Sequence, residues 1–170
     1  MSDEVLVRPA EVQDVTEVAR LLTDLNLDVG VGGYPPERER DPELAVVTPD
    51  QIQRRAVTMR QLETVYVAEV AGAVCGFVSL RLTPYLDQDA PYAEITEVYV
   101  DPTARRKGVA QALMTFAESQ AAKYGATSVH LVTGADNVNA QAFYKAAGYL
   151  DLYVGFEKFL PAAYQETYRA

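Results

Sequence analysis

Glu94-Ile-Thr-Glu-Val-Tyr-Val-Asp-Pro-Thr-Ala-Arg-Arg-Lys-Gly-Val-Ala110 is the stretch whose reading decides the fold. Its first seven residues are β-branched, aromatic or acidic and read as a strand, closed by Asp101-Pro102. Arg105-Arg106-Lys107-Gly108 then forms a short basic loop. From Val109 onward Leu113, Phe116, Ala117 and Ala121 recur at helical spacing, and Gly125 supplies a stop. A second strand, Thr127 to Thr133, follows. Strand, basic loop, helix and strand make one crossover unit with an anion site at its turn. The first N–H groups of a helix have no internal partner and carry the positive end of the helix dipole, so a phosphate placed there is stabilised by the backbone itself. Gly108 and Ala110 leave the backbone open to close approach.

The surrounding chain sharpens this reading. The formal charge is −9, and leaving out the three loop cations takes it to −12, so the loop is a local exception. The acidic balance argues against nucleic acid, which needs a basic face. A length of 170 residues suggests one domain, residues 1–170. No apolar run approaches the ~20 residues of a membrane helix. Met1-Ser-Asp-Glu4 lacks the features of a signal peptide, so no membrane association and a cytoplasmic location are expected. Cys75 is alone, which excludes an internal disulfide and reads as a core thiol. No His/Cys cluster has metal-ligand spacing, so no metal is expected.

Elsewhere, Val5 to Arg8 reads as a strand. Asp14-x-x-Glu17 reads as a capping box before a stripe of Val15, Val18, Ala19, Leu22 and Leu25. Asp28 to Val47 is turn-rich, with Gly30, Gly32, Gly33 and Pro35-Pro36. Thr48-Pro49-Asp50-Gln51 is a helix start. Val65 to Val70 and Val74 to Leu80 pair around Ala71-Gly72-Ala73 as a hairpin. A short helix from about Asn139 to Ala147 stops at Gly148, and Tyr149 to Phe159 reads as a terminal strand or pair of strands. This order predicts an α/β architecture, with a central mixed sheet and helices on both faces.

Neither Gly-x-Gly-x-x-Gly nor a Gly-Lys-Ser/Thr loop is present, which sets aside the common nucleotide fingerprints. Arg105-x-x-Gly108-x-Ala110 after Val-Tyr-Val-Asp-Pro resembles instead the acetyl-CoA pyrophosphate loop of the GNAT superfamily of N-acetyltransferases. Asn137-x-x-Ala140-x-x-Phe143-Tyr144, followed by Gly148-Tyr149, resembles that superfamily's second motif. The resemblance is sharpest over residues 94–150. Arg106 departs from it, standing where glycine is frequent, and Ala110 stands where glycine is also common.

The resemblance implies a GNAT fold and acetyl transfer from acetyl-CoA to a primary amine. Main-chain groups of Val98, Tyr99 and Val100 would pair with the pantetheine arm. N–H groups from Arg106, Lys107, Gly108, Val109, Ala110 and Gln111 would hold the pyrophosphate, assisted by the cations of Arg105, Arg106 and Lys107. Asn137, with Asn139 and Ala140 beside it, would contact the cofactor from the other side. Chemistry then asks for a proton acceptor, because an alkyl ammonium with a pKa near 10 is unprotonated in only about one molecule in a thousand at pH 7. Glu97 is the candidate base and Glu94 its reserve, since a bulge in the strand would change which face each meets. Tyr144 is the candidate acid for the departing thiolate. Singly, these residues have structural readings: Asn137 as a helix cap, Tyr144 as a core tyrosine, Glu97 as an ion-pair partner.

The acceptor, a small molecule or a peptide amine, is not readable. Tyr34, Tyr85, Asp87 and Asp89 suit a cationic one. His130, the one histidine, reads as a packing or surface residue and not a catalytic one. The alternative function is a non-catalytic GNAT-fold module that senses acyl-CoA. The superfamily commonly dimerises, so a homodimer using Tyr149–Phe159 is a further expectation from resemblance.

Overall fold

The computed structural model describes residues 4–29, 42–59 and 63–156. The chain divides into two compact units, one of residues 1–25 and 47–131, the other of residues 26–46 and 132–170. Tyr34 and the glycines and prolines of 30–36 lie outside the described residues, as do 157–159 of the expected terminal strand.

The first unit is built on a five-stranded sheet in sequence order: β1 (Val5–Pro9), β2 (Glu63–Val70), β3 (Ala73–Thr83), β4 (Tyr92–Val100) and β5 (Val129–Leu131). The first four strands are antiparallel, and β4 and β5 run parallel, as a crossover through a helix requires. The hairpin between β2 and β3 turns at Ala71 and Gly72, both with positive φ (51° and 79°). That pair of left-handed residues matches the twist of the flanking strands.

Helices cover both faces. On one, Val18 and Leu21 of α1 (Val15–Val29) pack with Val67, Phe77 and Tyr99, which sit side by side on β2, β3 and β4. Ile52 of α2 (Pro49–Met59) joins that cluster. On the other face α3 (Val109–Lys123) buries Val109, Leu113, Met114, Ala117 and Ala121 against the sheet. Tyr66 meets Phe116 of this helix edge to face, with centroids 5.2 Å apart. Gly76 faces it too: a Cβ there would stand 3.2 Å from Leu113 Cδ1 and 2.9 Å from Tyr99 O. The expected mixed sheet with helices on both faces is therefore found.

Two local expectations are corrected. The first helix is not entered through Asp14-x-x-Glu17. A short 3-10 turn, Val12–Asp14, precedes it, and Asp14 accepts from the Glu11 N–H at 2.7 Å. Asp14 is buried and takes the two terminal guanidinium nitrogens of Arg8 (2.6 and 2.9 Å), so a tertiary ion pair shares the carboxylate that local spacing assigned to a cap before Glu17. At Thr48 the local reading holds: Gln51 Oε1 accepts from Thr48 N at 2.8 Å and Thr48 Oγ1 from Gln51 N at 3.3 Å.

The second unit contains a 3-10 turn, Pro42–Ala45, and α4 (Val138–Ala146). Within it, Asn26 donates from its amide to Ala45 O at 3.1 Å. Its described tail is the second correction. Residues 149–156 form no strand, and Leu150, Leu152, Tyr153, Val154 and Phe156 are exposed. Their apolar, β-prone composition produced the expectation. A strand also needs a neighbour to hydrogen-bond, and among the described residues this tail has no ladder partner.

Candidate active site

β4 places the first set of candidates. Its ladder with β5 covers only Ala93, Glu94 and Ile95, opposite Val129, His130 and Leu131. Among the described residues, β4 has no strand neighbour on that side from Thr96 to Val100. The open edge includes Val98 and the Val100 N–H, and leads into the basic loop; Tyr99 between them is paired with Phe77 of β3.

On its other edge β4 carries a bulge. Ser79 pairs with Glu97 and Leu80 with Ile95, leaving Thr96 as the extra residue. Consecutive strand residues normally point to opposite faces; the bulge brings Thr96 and Glu97 together, with Thr96 Oγ1 2.5 Å from Glu97 Oε2. Thr96 Oγ1 also contacts Glu63 Oε1 on β2, and Ser79 Oγ donates to that same oxygen at 2.6 Å. Desolvation pushes the Glu97 carboxyl above the ordinary range; the Thr96 hydroxyl acts downward, the Glu63 charge adds to the rise, and Arg81 and Arg55 oppose it. Glu94, the reserve candidate, is engaged elsewhere, in an ion pair with Arg81 at 2.5 Å.

The loop is fastened at both ends. Asp101 Oδ1 accepts from Thr103 N (2.9 Å) and Thr103 Oγ1 (2.6 Å), and Asp101 N donates to Cys75 O at 2.9 Å. The two Thr103 bonds and the Arg20 guanidinium hold the Asp101 carboxyl below its usual range. Arg105 folds back on the strand: Nε donates to Val100 O at 3.0 Å, and the guanidinium lies 5.2 Å over the Tyr99 ring. Arg106 and Gly108 have left-handed backbones, with φ of 64° and 85°. Gly108 caps α3, whose first amide bond back to the cap runs from Ala112 N to Gly108 O. The amides of Val109, Ala110 and Gln111 therefore sit in the first turn, where no helical carbonyl can reach them.

Other side chains of this unit take structural places. The Cys75 thiol points at Ala68 O (3.6 Å), and burial pushes it up. His130 stacks on Tyr92 at 4.6 Å, Tyr92 meets Tyr85 at 4.9 Å, and His130 Nε2 lies 3.1 Å from Ser128 Oγ.

In the second unit Asn137 is the cap of α4, its Oδ1 accepting from Ala140 N at 3.2 Å. Asn139 is exposed on the first turn and Ala140 half-buried. Tyr144, half-buried, stands edge to face with Phe143 (5.5 Å) and Tyr149 (5.9 Å), and burial pushes its phenol up.

The model of the acetyltransferase (GNAT) family matches residues 31–149. The chain belongs to this family. It is 36% identical over 85 residues to an uncharacterised N-acetyltransferase of Methanocaldococcus jannaschii, a match that takes in 49% of this chain and 38% of that protein. Its fold is similar to that of a Bacillus halodurans transcriptional regulator, with a TM-score of 0.74 at 23% identity over 92% of this chain and 100% of the other. It is similar as well to an aminoglycoside N-acetyltransferase solved in complex with CoA, with a TM-score of 0.71 at 16% identity over 94% and 97% of the two chains.

Both GNAT motifs thus fall on the elements expected of them, the loop between β4 and α3 and the helix α4. The glycine frequent at the position of Arg106 has a visible reason: φ there is positive. Three residues escaped the sequence reading. Glu63 and Ser79 reach Glu97 through Thr96 only because β2 and β3 align beside the bulge, which no local pattern announces. Gln141, whose Nε2 donates to Gly134 O and Ala135 O (both 3.0 Å), lies inside the second motif, so its position was a usable signal.

Proposed function

We propose that this GNAT protein transfers an acetyl group from acetyl-CoA to a primary amine by direct attack in a ternary complex. The observation that carries the reading is the continuity of β4: an edge open from Thr96 onward leads into a cationic loop and the start of a 15-residue helix. An extended amide-bearing arm suits the edge, as an added strand would. A pyrophosphate suits the amides from Arg106 to Gln111, with Lys107 and the loop arginines supplying charge.

In this reading the strand Val98, Tyr99 and Val100 holds the pantetheine, through the outward main-chain groups of Val98 and the N–H of Val100. One of their N–H groups polarises the thioester carbonyl as charge develops on its oxygen. Asn137, Asn139 and Ala140 are cofactor contacts of α4, Asn137 through groups left over from capping. Glu97 takes the proton the amine must lose; its contact with Thr96, not with a cation, and its raised proton affinity favour it over the ion-paired Glu94. Tyr144 gives a proton to the departing thiolate, for which a phenol kept neutral by burial is suited. The acceptor is a cationic amine, small or peptidic, drawn by the acidic surface. Residues 1–170 act as one cytoplasmic domain, with a homodimer as the assembly.

The test is CoA release from acetyl-CoA across a panel of polyamines, aminoglycosides and lysine peptides. Release that depends on an added amine supports transfer. Tight CoA binding with no turnover on any amine leaves an acyl-CoA sensor. Glu97→Gln should lower kcat by about 10²–10⁴-fold.

A further inference from the structure

The contacts around Thr96 contain more oxygens than protons. Ser79 Oγ meets Glu63 Oε1, Thr96 Oγ1 meets the same oxygen, and Thr96 Oγ1 meets Glu97 Oε2. Each hydroxyl brings one proton, so the two hydroxyls supply protons for two of the three contacts. The third proton must lie on a carboxyl. Both hydroxyls converge on Glu63 Oε1, which makes that oxygen their common acceptor. With Ser79 and Thr96 donating to Glu63, Thr96 can only accept from Glu97, and the third proton belongs to Glu97.

We propose that Glu63, on β2, is a positioning residue for Glu97: through the Thr96 hydroxyl the two carboxyls hold one proton in common, and Glu63 governs when Glu97 is free to act as a base. The inference rests on the reading of Glu97 as the proton acceptor, and it adds a residue to it. The cycle balances. The shared proton leaves to solvent, Thr96 turns its own proton to either carboxylate, and Glu97 then takes the proton of the attacking amine. That step returns the pair to its one-proton state.

The groups facing Glu97 agree with this. Arg81 from β3 and Arg55 from α2 favour its anion, while burial and the Glu63 charge favour its protonated form. Thr96 lowers the proton affinity of Glu97 only when its hydrogen points that way. In the three-contact arrangement that hydrogen is committed to Glu63. Glu94, on the same strand, is neutralised by Arg81.

The experiment is a carboxyl-carbon NMR titration of glutamate-labelled protein, with Glu63 and Glu97 assigned from their Gln variants. In wild type, Glu97 should titrate above the ordinary carboxylate range. Glu63→Gln keeps an accepting oxygen for both hydroxyls and removes the charge, so Glu97 should titrate at lower pH. The same step made in Thr96→Ala should move Glu97 less, since the shared hydroxyl is gone. A Glu97 titration unmoved by Glu63→Gln, or moved to higher pH, overturns the proposal; an equal movement in both backgrounds overturns the part given to Thr96. The acid limb of kcat with the amine found by the panel should follow the NMR value. If Glu97→Gln leaves kcat and that limb intact, Glu97 is not the base, and the titration still decides whether the proton is shared.

Discussion

Arg106 and Gly108 flank Lys107 with left-handed backbones, φ 64° and 85°. For the glycine this conformation is free of Cβ strain; for the arginine it costs about 1–2 kcal/mol. A Cβ at Gly108 would meet no atom within 4 Å, and the same is true at Gly72 in the β2–β3 turn, φ 79°. Gly108→Ala and Gly72→Ala should therefore each destabilise by about 1–2 kcal/mol, through backbone strain alone. Only Gly108→Ala should raise the KM for acetyl-CoA. Denaturation midpoints and KM measured on both variants check this. Arg106→Gly should be neutral or slightly stabilising, and a raised KM in that variant would show that the guanidinium itself holds phosphate.

Tyr144 is expected to remain neutral to higher pH than a free tyrosine, because burial disfavours phenolate. As a general acid it should keep kcat level until pH passes above the ordinary tyrosine value near 10. Tyr144→Phe should reduce kcat about 10²-fold or more with the dissociation constant for CoA changed little. Calorimetry and a pH–rate profile read the two parts separately. Full turnover in the variant removes the acid role.

Asp14 makes a pH-dependent contribution to the fold. The Arg8 hydrogen bonds chiefly lower its proton affinity, the Glu11 amide helps, and desolvation works against both. A lowered folded value means the stabilisation is present above the unfolded value, near 3.8, and is lost as pH falls through the folded one. Asp14→Asn should thus be less stable than wild type at neutral pH, and the two should converge in acid. Thermal melts from pH 7 to pH 2 check it; a gap that stays constant to the lowest pH would contradict it.

Gly76 lies beneath Leu113 of α3, with Tyr99 O 2.9 Å and Val100 Cγ2 3.4 Å from the place a Cβ would take. Because the nearest atom is backbone, the strand cannot yield cheaply. Gly76→Ala should destabilise by about 1–3 kcal/mol in urea unfolding, and Gly76→Val by more.

The loop from Arg105 to Ala110 and the helix around Asn137–Tyr144 were legible in sequence because their constraints are local. A positive φ, a small residue beneath a helix start and a cap three residues before the amide it satisfies are all set within one turn of chain. The strands of the hairpin were legible for the same reason, through alternating β-branched residues around Ala71-Gly72. The tail after Gly148 was misread because β-prone composition says nothing about whether a partner edge exists. Asp14 was placed at the wrong end of its capping box, opposite Glu17 instead of Glu11, because its spacing to Glu17 was visible and its contacts with Arg8 were not.

By itself the sequence determined the family, the mixed sheet with helices on both faces and the basic loop that opens the third helix. Short-range sterics and hydrophobic periodicity suffice for these. Tertiary structure decided the rest. The alignment of β2 and β3 beside the Thr96 bulge set Glu97 against a hydroxyl and Glu94 against an arginine. It also gathered Glu63, Ser79, Thr96 and Glu97 onto one face. Strand register and a bulge join residues more than 30 positions apart, and a one-residue change in either would send each side chain to the opposite face.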